Sequence, residues 1–386
     1  MNVSDRSRNA SMLIGSLAKK GYMRFFHSFH GIQEETNAVR SFFIEFLIVN
    51  PAYSYDRPVL AHAPFHRKLG LQPSYVCVKA GIYPDANGEG GLELSRYYPV
   101  SALRTTPSPL VMQVGECFCS EERLSGHLAV AEDTARRKYN LTDAGEMTWN
   151  LDLQKTVSCH TGILASPLFQ WLHALDSYWH GEGIKTFFRG QVTVNGCSYR
   201  IQADTSFGYA DKHWGRSIND PLLRLSCSRL ISEKTGQVLR HSALAVDGCC
   251  PRFFFLPLKR KLLLQLTYTG EDFNFGFSPF ALSRCLLKTK SSGKRFIWHL
   301  KAQNKNAIIK LSAACPKAEV LPLRYESPEG VIHRSPVLGG ASVIGRIRLY
   351  RRLPGGCMEL IDTLRMEQGF CEFRQNSTVS AIGSDD

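Results

Sequence analysis

Residues 190–201 read Gly-Gln-Val-Thr-Val-Asn-Gly-Cys-Ser-Tyr-Arg-Ile and carry the clearest structural signal in the chain. Asn195-Gly196 is the preferred dipeptide for a two-residue β-hairpin turn, in which both central residues need a positive φ. The residues on either side include β-branched and aromatic types that are typical of strands. The segment therefore predicts two antiparallel strands, residues 190–194 and 197–201, joined by a tight turn.

Similar patterns recur on both sides of this hairpin. Residues 21–29 and 41–50 predict one earlier pair of strands, and residues 111–119 and 123–130 predict another. Four more hairpins are predicted after residue 220, whereas helices are few and short, with one expected at 168–175. Short strands separated by turn residues are typical of an antiparallel all-β barrel or sandwich. All-β is therefore the fold class that we predict.

The composition is that of a globular chain with a basic surface. The 386 residues are 44% hydrophobic and 21% charged, with a formal net charge of +13, which is enough chain for two domains or one large one. The densest basic clusters, residues 259–261 and 346–352, do not belong to a recognisable nucleic-acid module. We expect a solvated basic surface and no nucleic-acid partner, and peripheral contact with an anionic membrane surface stays open.

The twelve cysteines are expected to be thiols. The first 20 residues do not read as a signal peptide, and the apolar stretch 42–49 is interrupted by Glu45 and too short to span a bilayer. These features predict a cytoplasmic protein, in which disulfides are rare. The pairs Cys117/Cys119 and Cys249/Cys250 lack the spacing of zinc ligands, so we predict no metal site.

Residues 209–217 read Tyr-Ala-Asp-Lys-His-Trp-Gly-Arg-Ser and concentrate the chemistry of the chain. In a strand, side chains alternate between two faces. Tyr209, Asp211 and His213 would then share one face, on which they could assemble a proton donor. The alternative is a polar strand end, in which Trp214 fills the core and Asp211 forms a surface ion pair with Arg216.

A second polar triad precedes the hairpin. Residues 178–182 read Tyr-Trp-His-Gly-Glu, so the same alternation puts Tyr178, His180 and Glu182 on one face. The hairpin leads from this triad into the 209–217 stretch. We predict that the two triads lie on neighbouring strands or at their ends, where they could face each other. His27, in the early aromatic segment, is predicted to line a pocket.

The stretch from Gly208 to Ser217 resembles the signature of the tocopherol cyclase-like family, Gly-Tyr-x-(Asp/Glu)-Lys-x-Trp-Gly followed by a strand. Upstream residues 178–181 and 188–196 match in order, and Leu-Thr-Tyr-Thr-Gly at 266–270 is also similar. The resemblance is best over residues 175–275. The family belongs to a lipocalin-like superfamily that includes carotenoid hydratase-type proteins.

The resemblance implies two tandem lipocalin/calycin-like antiparallel β-barrel domains with few short helices, an N-terminal one at 1–207 and a C-terminal one at 208–386. It also implies an apolar cavity for a prenylated or otherwise lipidic ligand. The family's chemistry is cofactor-free, acid-promoted addition across a carbon–carbon double bond. Either a phenol adds intramolecularly, or water adds to a polyene.

Carotenoid hydratase-like relatives carry a Tyr-x-Asp as a candidate proton donor, which maps onto Tyr209 and Asp211. On this resemblance Asp211 is the general acid, which requires a carboxyl pKa raised by burial. The other expected roles are orientation or relay of the proton by Tyr209 and His213, pairing across the cavity by His180 or Glu182, and cavity walls formed by Trp179, Trp214, Tyr178 and His27.

Three functions remain open at this point. The first is a cyclase or hydratase that acts on a prenylated quinol or isoprenoid. The second is a non-catalytic, lipocalin-like binder of a hydrophobic small molecule, and the third is a basic interaction protein. A buried Asp211 at the end of a closed apolar cavity favours the enzyme, whereas a salt bridge from Asp211 to Lys212 or Arg216 favours the binder.

Overall fold

The computed structural model describes residues 11–107, 109–137, 139–159, 176–216, 218, 222–249, 252–253, 256–257, 261–276, 283–332 and 336–374. Its first half forms one 12-stranded sheet. The strands of this first sheet are β1 (Tyr22–Gln33), β2 (Val39–Val49), β3 (Tyr75–Ile82), β4 (Leu92–Tyr98), β5 (Arg104–Pro107), β6 (Leu110–Val114), β7 (Cys117–Ser120), β8 (Arg123–Val130), β9 (Gly145–Cys159), β10 (Ser177–Val194), β11 (Cys197–Ile201) and β12 (Gly208–Gly215).

The second half forms an 11-stranded sheet and a small two-stranded one. Its strands are β13 (Leu223–Cys227), β14 (Arg229–Ser232), β15 (Ala243–Cys249), β16 (Arg252–Phe253), β17 (Leu256–Pro257), β18 (Lys261–Tyr268), β19 (Glu271–Phe275), β20 (Arg284–Ser292), β21 (Arg295–Gln303), β22 (Ala307–Pro316), β23 (Val320–Leu323), β24 (Val337–Arg352) and β25 (Met358–Arg374). Strands β16 and β17 pair with each other, and the others form the second sheet.

Helix is scarce in the described residues. The helices there are α1 (Ser16–Lys19), α2 (Pro64–Lys68), α3 (Glu132–Ala135) and a 3₁₀ turn at Val100–Ala102. None of these helices has the length and apolar character needed to cross a membrane. The helix predicted at 168–175 lies outside the described residues.

The prediction of an all-β fold of antiparallel strands is confirmed, since every paired strand is antiparallel to its neighbours. The 190–201 hairpin is confirmed as well: β10 pairs with β11, and the turn residues Asn195 and Gly196 have φ values of 47° and 84°. The prediction of a single strand over 111–119 is wrong. Gly115 has a φ of 56°, and a turn there divides this segment into β6 and β7, which pair with each other.

Strand β12 lies in the first sheet, between β1 and β10. The predicted division of the chain puts this strand at the start of the second domain, residues 208–386. Hydrogen bonding therefore joins residues 208–215 to strands that precede the predicted boundary, while β13 and the strands after it form the other sheets. The two-domain division itself stays a prediction.

Buried ionic and polar contacts join the two sheets. Arg24 on β1 donates to Glu45 on β2 (Nε to Oε2, 2.6 Å) and through both terminal nitrogens to Glu372 on β25. Lys185 on β10 donates to three backbone carbonyls of the second half, at Ser228 (2.7 Å), Leu239 (3.0 Å) and Ser242 (3.2 Å). We name the side of the first sheet that carries Arg24 and Lys185 the contact face.

We expect the Arg24 bridge to dominate the stability of the sheet–sheet contact. Arg24→Met leaves Glu45 and Glu372 buried without their main cationic partner, which typically costs about 3–5 kcal/mol of unfolding free energy. Urea denaturation measures this loss. Arg351→Met is the matched control, because its ion pair with Glu271 is half exposed and should contribute less than about 1 kcal/mol. Equal stabilities of the two variants would contradict the assignment.

Candidate functional site

The central triad lies on the contact face. Strand β12 pairs with β1 so that His213 is opposite Arg24 and Asp211 opposite Phe26. Alternation along β12 then keeps Tyr209, Asp211 and His213 on one side, as the sequence predicts. The hydroxyl of Tyr209 donates to Asp211 Oδ2 at 2.7 Å, and His213 Nε2 lies 3.0 Å from the same oxygen.

Trp179 completes the set of donors around Asp211. Its indole Nε1 donates to Asp211 Oδ2 at 3.0 Å, so one carboxylate oxygen accepts three hydrogen bonds. The Asp211 residue is only 2% exposed. Trp179, predicted to be a cavity wall, therefore holds the carboxylate in position. Neither Lys212 nor Arg216 is among these partners of Asp211. The alternative prediction, a surface ion pair between Asp211 and Arg216, is therefore wrong.

Arg224 fixes the protonation of His213. Arg224 Nη2 lies 3.2 Å from His213 Nδ1, and because arginine can only donate, Nδ1 must be the acceptor. The ring proton is thus on Nε2, where it is shared with Asp211 Oδ2. Burial lowers the pKa of His213, and the positive charge of Arg224 lowers it further. His213 is therefore a neutral imidazole at neutral pH.

The sequence analysis missed Arg224. This residue enters the site from β13 of the second sheet, and it also donates to Glu372 (3.0 Å) and Asp247 (3.3 Å). The local pattern around it, Leu-Arg-Leu-Ser-Cys at 223–227, gives one signal, a cation inside an apolar strand. Its pairing with His213 across the two sheets is not encoded locally.

Asp211 is ionised, whereas a general acid requires a protonated, neutral carboxyl group. Burial by itself raises the pKa of this carboxyl, but His213 and the cations Arg24 and Arg224 more than offset it. The net pKa lies below the ordinary carboxyl value. Asp211 is accordingly a carboxylate at neutral pH, and the role of resting proton donor does not fit it.

The second carboxylate oxygen of Asp211 is buried, and Asp211 lines a small cavity. Among the described residues, Asp211 Oδ1 has no hydrogen-bond partner. Asp211 lines a cavity of about 20 Å³, which is enough for one water molecule. The lining residues are Phe26, Tyr209, Asp211, Arg224, Leu225, Ser226, Phe370, Cys371 and Glu372. The arrangement can therefore hold a water molecule beside a fixed carboxylate, among apolar side chains and the charged groups of Arg224 and Glu372.

The second triad lies on the opposite face of the first sheet. Strand β10 pairs with β12 so that Tyr178 is opposite Trp214 and His180 opposite Lys212, and Tyr178 stacks on Trp214 with 5.4 Å between ring centroids. Glu182 accepts a hydrogen bond from Lys155 at 2.7 Å. The prediction that the two triads face each other is wrong, because positions 212 and 214 alternate with 211 and 213. His180 and Glu182 are thus on the far side of the sheet from Asp211.

This opposite face carries a separate buried group of titratable side chains. Lys212 Nζ lies 5.4 Å from the ring centroid of Phe25 and 5.0 Å from that of Trp214, and burial lowers its pKa to about 7. His27 is also here, and burial together with the charge of Lys155 lowers its pKa to about 4. Three of the four predicted cavity walls, Tyr178, Trp214 and His27, therefore lie on this face.

Fold and site together define an all-β protein with a buried carboxylate between two sheets. No protein-family model matches the chain, and no curated protein matches it. Similar solved structures include a protein assigned as AttH from Nitrosomonas europaea (11% identity, 91% of each chain covered, TM-score 0.43). CghA with Sch210972 is 10% identical over 95% of this chain and 92% of that chain, with a TM-score of 0.46.

A third similar structure is kievitone hydratase from Nectria haematococca, at 13% identity, with 95% of this chain and 93% of that chain covered and a TM-score of 0.41. Similarity at this level does not define the activity of this chain. The specific likeness to tocopherol cyclases stays a prediction.

The pH dependence of protein stability tests whether His27 is buried and neutral on the opposite face of the first sheet. Neither ring nitrogen has a hydrogen-bond partner among the described residues. Its pKa is lowered from 6.5 to about 4, so the folded state resists protonation and loses stability as pH falls from 6.5 to 4. This shift corresponds to about 3 kcal/mol. His27→Leu should reduce the loss of unfolding free energy between pH 7 and pH 4 by roughly that amount.

The control is His127, which lies between Glu116 and Glu146 on the surface, where both glutamates raise its pKa. A raised pKa stabilises the fold at low pH, so His127→Leu should leave the low-pH loss no smaller than in the wild type. Denaturation curves at the two pH values measure both variants. An unchanged pH dependence in His27→Leu would refute the buried neutral state of His27.

Proposed function

We propose that this protein binds a hydrophobic small molecule beside Asp211 and adds water across one of its carbon–carbon double bonds. The observation that carries the proposal is the asymmetric environment of the Asp211 carboxylate. One oxygen accepts three donors, whereas the other has no hydrogen-bond partner among the described residues, and Asp211 lines a cavity the size of a water molecule. A fixed, desolvated carboxylate beside a water molecule is the arrangement of a general base.

The charge of Asp211 sets the order of the proposed steps. The water oxygen forms a bond to one alkene carbon while Asp211 takes a water proton. The carboxyl, now neutral, then returns this proton to the neighbouring carbon, so one water enters the product and Asp211 is regenerated. This order suits a double bond conjugated to a carbonyl group, because the carbonyl oxygen accepts the intermediate negative charge. An unconjugated isoprenoid would need the proton first.

Substrate binding requires movement at the site. The cavity of about 20 Å³ has room for water and is far smaller than a substrate. Phe26 on β1 and Leu225 and Phe370 on β13 and β25 close it from the two sheets. These side chains make no hydrogen bonds and can change rotamer without leaving polar groups unpaired, whereas the Arg24 and Arg224 ion pairs hold the carboxylate in place.

Cyclisation of a prenylated phenol, the tocopherol cyclase-like reaction, is the second candidate function. A phenolic hydroxyl of the substrate would then replace water, and the product would be an isomer of equal mass. The resemblance of residues 208–217 favours this reaction, but an unactivated prenyl group needs an acid, and the lowered pKa of Asp211 opposes that role. A non-catalytic protein would bind the same class of ligand at this site without either reaction.

The proposal also includes a cytoplasmic location and a reaction that needs no cofactor.

Asp211→Asn should abolish water addition while the fold is kept. The protein is incubated with an aromatic α,β-unsaturated ketone and, separately, with a prenylated hydroquinone, and products are detected by mass spectrometry. Loss of the base is expected to lower the rate roughly 10²–10⁴-fold, and Tyr209→Phe, which removes one of three donors, about 10²-fold. Asp362→Asn is the matched control, a buried aspartate bonded to Ser232 at 2.6 Å.

Full activity of Asp211→Asn would remove Asp211 from the mechanism. An isomer of unchanged mass from the hydroquinone, formed by the wild type and not by Asp211→Asn, would replace hydration by cyclisation. If the protein retains the compound but never changes its mass, the protein is a non-catalytic binder of a hydrophobic small molecule.

The pH dependence of the rate separates a base from an acid at Asp211. Because the pKa of Asp211 is lowered, its carboxylate form is complete well above pH 4, and a base-first reaction should run at a constant kcat/KM from pH 8 to pH 5. The rate should fall only below the ordinary carboxyl pKa of about 4. An acid-first reaction would instead accelerate about tenfold for each unit by which pH is lowered, and that result would reverse the assigned role.

A further inference from the structure

The outward side of the second sheet carries a row of cations in register. Residue pairing places Leu286 on β20 opposite Lys301 on β21, Lys301 opposite Lys310 on β22, and Lys310 opposite Arg348 on β24. The next row holds Lys288, His299, Ser312 and Arg346. Three like charges lie directly opposite one another on neighbouring strands, an arrangement that is unfavourable for the sheet itself.

These cations have few acidic neighbours in the part of the chain that the structure describes. Within the described residues, Lys301, Lys310 and Arg348 form no ion pair, whereas the flanking Arg346 pairs with Glu233 at 2.9 Å. The rows line a groove of about 530 Å³ with no carboxylate among its described lining residues. We name this the basic face, formed by Lys288, His299, Lys301, Lys310, Arg346 and Arg348. Its charge and shape are complementary to phosphate groups.

Exposed apolar side chains share this surface. Tyr350 is on the same side, because Lys310 Nζ lies 5.2 Å from its ring centroid, and Leu360 on β25 is directly opposite Tyr350. Leu360 is 44% exposed, Met358 two residues earlier is 37% exposed, and Leu286 at the other end of the cationic row is 38% exposed. Aliphatic groups thus flank the cations on two sides of the basic face.

We propose that the basic face docks the protein onto the surface of an anionic phospholipid bilayer. The cations would contact headgroup phosphates, while Leu286, Met358 and Leu360 enter the boundary of the acyl chains. Basic residues combined with exposed aliphatic ones are the composition of peripheral membrane surfaces. A nucleic acid would match the charge, and its bases could stack on Tyr350, but it offers no counterpart to the exposed aliphatic groups.

Vesicle flotation tests the proposal with the full chain. The wild type should bind phosphatidylcholine vesicles that contain phosphatidylserine and not vesicles of phosphatidylcholine alone, and added salt should weaken binding. Replacing three cations, Lys301→Gln with Lys310→Gln and Arg348→Gln, should weaken binding about 100-fold, because each lysine or arginine near an anionic surface contributes several-fold.

The matched control removes the same charge from the other half of the molecule. Lys19, Lys68 and Arg104 are exposed and are replaced by glutamine together, which leaves the net charge equal to that of the first triple variant. Binding should then stay within a few-fold of the wild type. Equal losses in both triple variants would show an effect of net charge alone and would overturn the docking face.

The contribution of the exposed aliphatic side chains to binding distinguishes a bilayer from other polyanionic partners. Met358→Ser with Leu360→Ser should weaken vesicle binding severalfold and leave binding to a DNA oligonucleotide unchanged. Absence of vesicle binding by the wild type, with oligonucleotide binding that depends on Lys301, Lys310 and Arg348, would refute the bilayer and assign the face to nucleic acid. Thermal melting curves of each variant confirm that the compared proteins are folded.

Discussion

The ion pairs of Arg24 and Arg224 with Glu372 are the constraint on which the rest of this structure depends. Glu372 comes from β25 of the second sheet and accepts from Arg24 of the first and Arg224 of its own sheet. All three side chains are largely buried, so none can give up its partners to water. The relative position of the two sheets is consequently fixed at the point where Asp211 lies.

The same cations determine what Asp211 can do. Arg24 and Arg224 bring positive charge next to the carboxylate, and Arg224 also fixes the neutral tautomer of His213 that donates to it. A carboxyl in an apolar pocket would tend to hold its proton, but here the stabilising network favours the charged form. Stability and reactivity are therefore linked, since any change that raises the pKa of Asp211 by removing a cation also weakens the joint between the sheets.

Much of the fold follows from local sequence. The Asn195-Gly196 turn and the alternation of side chains predicted the hairpin, the all-β class and the common face of Tyr209, Asp211 and His213. The split of 111–119 was missed because the turn at Gly115 lies inside a continuous run of strand-forming residues. Local patterns gave no information on which face of one strand meets which face of the next.

The site shows the limit of local patterns most clearly. The prediction that the two triads face each other was wrong because of the register between β10 and β12. Tyr178 lies opposite Trp214, so the even positions of β10 share a face with the even positions of β12, whereas Asp211 occupies an odd position. Arg224 and Glu372 are distant in sequence from Asp211 and reach it only through the packing of two sheets. Their contribution to the charge of Asp211 depends on this tertiary contact, and no pattern within nine residues encodes it.

Alternation along β12 divides the nine-residue stretch into two chemical environments. Asp211 faces the second sheet, where cations keep it ionised, whereas Lys212 points to the opposite face, where burial among Phe25 and Trp214 lowers its pKa to about 7. A cation that is close to half protonated at neutral pH is thus found on the aromatic side of the strand. Aromatic faces also stabilise cations. The surroundings of Asp211, by contrast, match a base that acts on water.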